Sequence, residues 1–99
     1  MLFAFMLLDA PGTAALRQQV RPEHKAYLAG VADRIAFAGP LLGDDDAMNG
    51  SLLVIDFADR AAALAWLQAE PFTRAGVYAT RDVRVFRNLW PQKTGFPES

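Results

Sequence analysis

Cysteine is absent from this 99-residue chain, and histidine occurs once, as His24. With no thiol there is no disulfide framework, no thiolate zinc site, no iron–sulfur cluster and no cysteine nucleophile. A single imidazole excludes a multi-histidine metal site within one chain. Basic charge is also scarce: 10 Lys and Arg against 11 Asp and Glu leave a formal net charge of −1. Phosphate backbones are held by a surplus of cations, so no nucleic-acid partner is expected. The apolar run Leu2–Leu8 falls far short of the roughly 20 residues that a membrane span needs. No basic residue precedes it, as one would in a secretory signal. Also missing are a glycine-rich phosphate loop, a G-x-S-x-G around Ser51, and the alternating ligand spacing that would make Asp44-Asp45-Asp46 a calcium loop. The expectation is a soluble, cytoplasmic, one-domain protein with no cofactor and no membrane partner.

What the chain does have is a clear alternation of strand and helix signals. Leu2–Leu8 (LFAFMLL) reads as a strand buried on both faces. After the turn cluster Asp9-Ala10-Pro11-Gly12, Thr13 is placed to cap a helix. Leu16, Val20, Tyr27, Leu28 and Val31 fall within an arc of about 120° on that helix. Pro22 interrupts the pattern, as a kink or as the first residue of a second helix. Arg34–Ala38 reads as a strand closed by Gly39-Pro40, and Ser51–Phe57 as a third strand after a polar loop bracketed by Gly43 and Asn49-Gly50. Asp59 caps an alanine-rich helix that turns Ala63, Leu64 and Leu67 inward. Pro71–Gly76 is a turn or short helix, Asp82–Trp90 a fourth strand, and the stretch 91–99 a loose tail.

The order is β-α-β-β-α-β, the split βαβ of an α+β, ferredoxin-like sandwich. Two helices cover one face of its four-stranded sheet. The first strand is apolar throughout and the third nearly so, which leaves the other face too oily for water. A second copy of the chain is the simplest cover, so a homodimer is expected, its sheets packed face to face or wrapped into a barrel.

His24 is the one side chain here that ordinarily titrates near neutrality. It lies inside the apolar arc, about 80° from Leu16 at 100° per residue. Two readings stand. It is a core histidine bonded to a backbone carbonyl, or it is a general base whose proton traffic needs a poised imidazole. If the helix restarts at Pro22, His24 sits in its first turn, where the helix dipole favours the neutral ring. Arg21, about 60° away on the wheel, is a solvated cation or a clamp for a carboxylate or phenolate substrate. Glu70 precedes Pro71 and reads as a cap, though glutamate caps poorly, or as the carboxylate that orients His24 and fixes its tautomer. Ser51 offers a hydroxyl to a ligand or to its own turn.

These residues fall in a familiar order. Arg21-Pro22-Glu23-His24, running to Leu28, is similar to the R-P-x-H-x-x-x-L segment of the YciI-like (YCII-related) family. Ala38-Gly39-Pro40-Leu41, Gly50-Ser51-Leu52, Ala69-Glu70-Pro71-Phe72 and Ala75-Gly76-Val77-Tyr78 follow in the family's sequence, so the resemblance spans about residues 1–90. It implies a ferredoxin-like fold, a dimeric α+β barrel, and a cleft in which the family histidine meets a carboxylate. Carried over, these are His24 and Glu70, with glutamate standing where the family usually has aspartate. Arg21, Ser51, Pro71 and Phe72 match positions that line or shape that cleft. The best-defined activity in the family is cofactor-free dehydrochlorination of a chlorinated hydroxyquinol. This points to lyase or isomerase proton transfer on a small anionic or phenolic molecule. A non-catalytic small-molecule-binding dimer and a cofactor-free monooxygenase-like barrel are the other readings, the last resting on Trp66 and Trp90.

Overall fold

The computed structural model describes residues 1–90, so the tail 91–99 lies outside the described residues. The chain runs β1 (Leu2–Asp9), α1 (Ala14–Ala29), a 3-10 turn (Ala32–Arg34), β2 (Ile35–Leu42), β3 (Met48–Asp56), α2 (Arg60–Ala69), α3 (Pro71–Ala75) and β4 (Tyr78–Phe86). The strands form one four-stranded sheet in the order β2-β3-β1-β4, with every neighbouring pair antiparallel. This is the expected ferredoxin-like α+β arrangement.

Side chains alternate across a strand, and β1 shows what that does here. Phe3, Phe5 and Leu7 are 0% exposed, whereas Met6 and Leu8 are 41% and 45% exposed. Burial on both faces of β1 is therefore not met among the described residues of one chain, which close only the helix-covered face. On that face Phe3 and Phe5 pair in register with Ile55 and Leu53 of β3, and Ala63 and Leu67 of α2 and Phe72 of α3 complete the core. Leu64, expected inward, is exposed. Helical spacing puts it outside the narrow stripe that Ala63 and Leu67 share at i and i+4. Asp59 caps α2 as expected, accepting from the Ala62 N–H at 2.8 Å.

Helix α1 corrects two expectations. It runs unbroken through Pro22. Pro22 is on the exposed side, and Leu16 and Val20 before it and Leu28 after it pack on the core. Anchors on both sides of the proline outweigh its lost hydrogen bond, which costs about 3 kcal/mol. His24 is thus mid-helix, and the first-turn dipole argument does not apply to it. Thr13 occupies the cap position without capping. Its hydroxyl donates instead to the Ala10 carbonyl at 2.6 Å.

Gly39-Pro40 does not end β2, which continues to Leu42. A proline is tolerated there because β2 is an edge strand. Asn49-Gly50 is likewise not a turn but part of β3. Gly50 has a steric reason for its place: a Cβ on it would come within 2.7 Å of the Leu7 carbonyl oxygen. β4 begins at Tyr78, four residues before the expected start at Asp82. Among the described residues no helix is long and apolar enough to cross a membrane.

A candidate active site between α1, α3 and the sheet

Successive turns of α1 stack Arg17, Arg21, His24 and Leu28 on one face, at i, i+4, i+7 and i+11. That face meets α3 and the centre of the sheet. Between them lies a cavity of about 230 Å³. Its cationic wall is Arg17, Arg21 and Lys25, and its apolar wall is Leu28, Leu53 and Phe72. His24 and Ser51 open onto it, and the Ala38–Pro40 stretch of β2 closes one edge. Among the described residues no carboxylate lines it.

Glu70 sits behind His24 rather than in the cavity, and it is 0% exposed. It is the cap of α3, with Pro71 following at the first helical position. Its Oε1 accepts from the Phe72 N–H at 3.2 Å, and its Oε2 accepts from the Thr73 N–H at 3.4 Å. The same Oε1 lies 2.5 Å from His24 Nδ1. A carboxylate oxygen that already takes a backbone N–H acts as an acceptor, so Nδ1 is the donor of that bond. In the neutral tautomer of that ring, Nε2 is the nitrogen without the proton. The Phe72 ring stacks on the imidazole, with centroids 4.0 Å apart and planes 16° off parallel. Glu70 and Phe72 together fix both the rotation and the tilt of the ring.

Seven residues earlier on α1, Arg17 makes a second, denser cluster. It is buried, and its Nη1 donates to both oxygens of Asp9, at 3.0 and 3.2 Å. Its Nη2 donates to the Gly50 carbonyl and to Ser51 Oγ, each at 2.8 Å. The guanidinium carbon stands 4.5 Å from the Phe72 ring centroid, a cation–π contact. The Tyr78 hydroxyl is hydrogen-bonded to that of Ser51, the two oxygens 2.9 Å apart. Burial pushes the Asp9 carboxyl up from its ordinary range, against the pull of Arg17. Burial also pushes the Tyr78 phenol up, and the Glu70 charge adds to that. Among the described residues no three His, Cys, Asp or Glu side chains gather as metal ligands.

Of the residues singled out in the sequence, His24 and Glu70 are in contact, and Arg21, Ser51 and Phe72 line the cavity. Pro71 does not line it; its place is the first turn of α3. Glu70 is also a functioning cap, which its side-chain length argued against. The helix it caps is short and begins with proline, so the longer side chain folds back onto two amides. Sequence reasoning passed over Arg17, Tyr78 and Lys25. Arg17 carried a readable signal: it falls inside the apolar arc of α1, about 20° from His24 on the wheel. Tyr78 had none, because the strand that gives it an inward face was placed too late.

Known proteins share this arrangement of elements and sequence. The family model for the YCII-related domain matches residues 1–87. Protein YciI of Escherichia coli O6:H1 is 32% identical over 98 residues, covering 91% of this chain and 100% of that protein. An uncharacterized protein of Haemophilus influenzae is 31% identical over the same coverage of each. Among solved structures, the 5-chloro-2-hydroxyhydroquinone dehydrochlorinase of Burkholderia phenoliruptrix, in complex with 2,5-dihydroxybenzoquinone, superposes with a TM-score of 0.84. It is 32% identical, over 88% of this chain and 94% of that one. Sequence, fold and end-to-end coverage agree, and the chain belongs to the YCII-related family.

Proposed function

We propose that this protein is a cofactor-independent enzyme that moves a proton on a small anionic or phenolic molecule, by elimination or by isomerisation. The observation that carries this reading is the way His24 is held: Nδ1 on a buried carboxylate, the ring stacked on Phe72, and the ring edge open to a cavity lined by cations. His24 is the general base, acting through Nε2. Glu70 holds its tautomer and stabilises the imidazolium that forms. Arg21 and Lys25 hold the negative charge of the substrate.

Dehydrochlorination, the activity of the Burkholderia neighbour, illustrates the balance such a site requires. Nε2 takes a proton from the substrate, the electron pair left behind shifts through the ring, and the carbon–chlorine bond breaks with its pair leaving as chloride. The sum is loss of HCl, with no oxidant or reductant. In an isomerisation the imidazolium returns its proton to another atom instead.

The test is turnover on a panel of chlorinated and unchlorinated hydroquinones. His24→Ala is expected to lower kcat by about 100-fold or more in protein that remains folded. Full activity in that variant would remove the catalytic role. A ligand that binds in the cavity and is recovered unchanged after long incubation would favour a binding module instead.

The working unit of this reading is a homodimer. Met6, Leu8, Phe37 and Phe86 are large, apolar and exposed, and in the strand register they share the sheet face that the helices leave open. Light scattering after gel filtration is expected to give twice the monomer mass, and Met6→Lys to return it to the monomer. A monomeric wild type at micromolar concentration would end the dimer reading.

A further inference from the structure

Ser51 occupies a singular position among the groups that line the cavity. A hydroxyl oxygen has two lone pairs and one hydrogen. Two partners are within reach of it. Arg17 Nη2 donates to Oγ at 2.8 Å and the Tyr78 hydroxyl stands 2.9 Å from it, and Ser51 is buried at the point where they meet. Neither partner is free to swing away. Arg17 is clamped by Asp9 and the Gly50 carbonyl and rests on Phe72. The Tyr78 ring packs edge-on against Phe72, with centroids 5.8 Å apart. With Tyr78 as the donor, the hydroxyl hydrogen of Ser51 has no acceptor among the described residues, and the side chain lines the cavity.

We propose that Arg17 and Tyr78 fill both lone pairs of Ser51 and so aim its hydroxyl hydrogen into the cavity, as a fixed donor to a deprotonated oxygen of the ligand. Ser51 then discriminates between protonation states. An ordinary serine rotates to accept from a ligand hydroxyl or to donate to a ligand oxyanion; this one only donates. The rest of the cavity follows suit: Arg21 and Lys25 are donors alone, and among the described residues Nε2 of a neutral His24 is the one side-chain acceptor. The ligand class that fits is an enolate, phenolate or quinone-type anion whose oxygens all accept, with a single acidic proton placed at His24. Arg17 and Tyr78 are positioning residues, acting through Ser51. The claim rests on the small-molecule reading of the cavity, but it makes no use of catalysis by His24.

The experiment is a binding cycle with 2,5-dihydroxybenzoquinone in its deprotonated form, followed by the quinone absorbance, on wild type, Ser51→Ala, Tyr78→Phe and the double variant. Ser51→Ala is expected to weaken binding by about tenfold or more, the worth of a hydrogen bond to a charged group. Tyr78→Phe should weaken it by about threefold, because the freed lone pair lets the hydroxyl turn away. In the Ser51→Ala background, Tyr78→Phe should change nothing further. A merely structural Tyr78 would weaken binding equally in both backgrounds, and that result overturns the proposal. So does a wild type that does not bind the deprotonated quinone. Neutron diffraction on deuterium-exchanged, ligand-free crystals reads the orientation independently. Deuterium on Tyr78 pointing at Ser51 supports it, and deuterium on Ser51 pointing at Tyr78 overturns it. Loss of turnover in His24→Ala with the binding cycle intact, or the reverse, separates this inference from the catalytic one.

Discussion

Helix α1 carries two basic side chains that lean on the same phenylalanine and answer to the same kind of partner, yet the two are built for different ends. Arg17 meets Asp9 and His24 meets Glu70, and both contact the Phe72 ring. Arg17 has committed both of its terminal nitrogens to fixed protein groups. His24 has committed one ring nitrogen and keeps the other at a cavity wall. In the first cluster both terminal nitrogens are filled and only Nε of Arg17 is buried without a partner, so the arginine serves as architecture. The second is held as firmly but keeps one ring nitrogen at the cavity, uncommitted to any protein group among the described residues.

The sharpest way to break this contrast is to delete each base in turn. Arg17→Met leaves the Asp9 carboxylate buried without its partner, which is expected to cost about 3–5 kcal/mol of stability, read as a lower midpoint in urea. His24→Ala should lower that midpoint by less, since the Glu70 carboxylate it leaves behind still accepts from the Phe72 and Thr73 amides. Equal losses would mean that both clusters are architecture. Next in size is Glu70→Gln, which keeps the reach to Nδ1 and loses the charge. Turnover should fall about 10- to 100-fold, the usual penalty for removing a partner that orients a reactive group. Stability should fall by about 1 kcal/mol through the weakened cap.

The smallest effect is a pH signature. The Tyr78 phenol is pushed up from its ordinary value of 10.0, mainly by burial. The folded state therefore holds that proton while the unfolded chain releases it. The linked stability is fully present below pH 10.0 and is lost as the pH climbs above it. Denaturation midpoints taken from pH 8 to 11 should fall less steeply in Tyr78→Phe than in wild type. Tyr27, also pushed up by burial, keeps part of the fall in both proteins. Identical slopes would place Tyr78 in a wetter setting than the cluster around Arg17.

The same contrast explains what could be read from residues alone. The Asp59 cap, the short helix ended by Gly76 and the βαββαβ order are written in local chemistry, and the fold carries them. The contact between His24 and Glu70 joins residues 46 apart; the residues alone left it as one of two readings of Glu70, and the family pattern favoured it. Local punctuation misled where a neighbouring strand outvoted it. Gly39-Pro40 and Asn49-Gly50 look like turns, but pairing between β2 and β3 draws both into the sheet. Arg17 was missed for a related reason. An arginine on a helix normally lies along the surface with its head in water. What keeps this one inside is a carboxylate at the end of β1 and a carbonyl at Gly50, and neither is its neighbour in sequence.

Glu70 ties the backbone of α3 to the ring of His24, and that bond lends the protein a built-in reporter. The amide hydrogens of Phe72 and Thr73 end on the same carboxylate that holds the imidazole. Opening of α3 by local unfolding releases all of these together, so His24 loses its anchor without the sheet being disturbed. Hydrogen exchange at those two amides therefore reads the fraction of molecules in which that anchor is held. Occupancy of the cavity would be read as slower exchange at two backbone positions outside its polar wall.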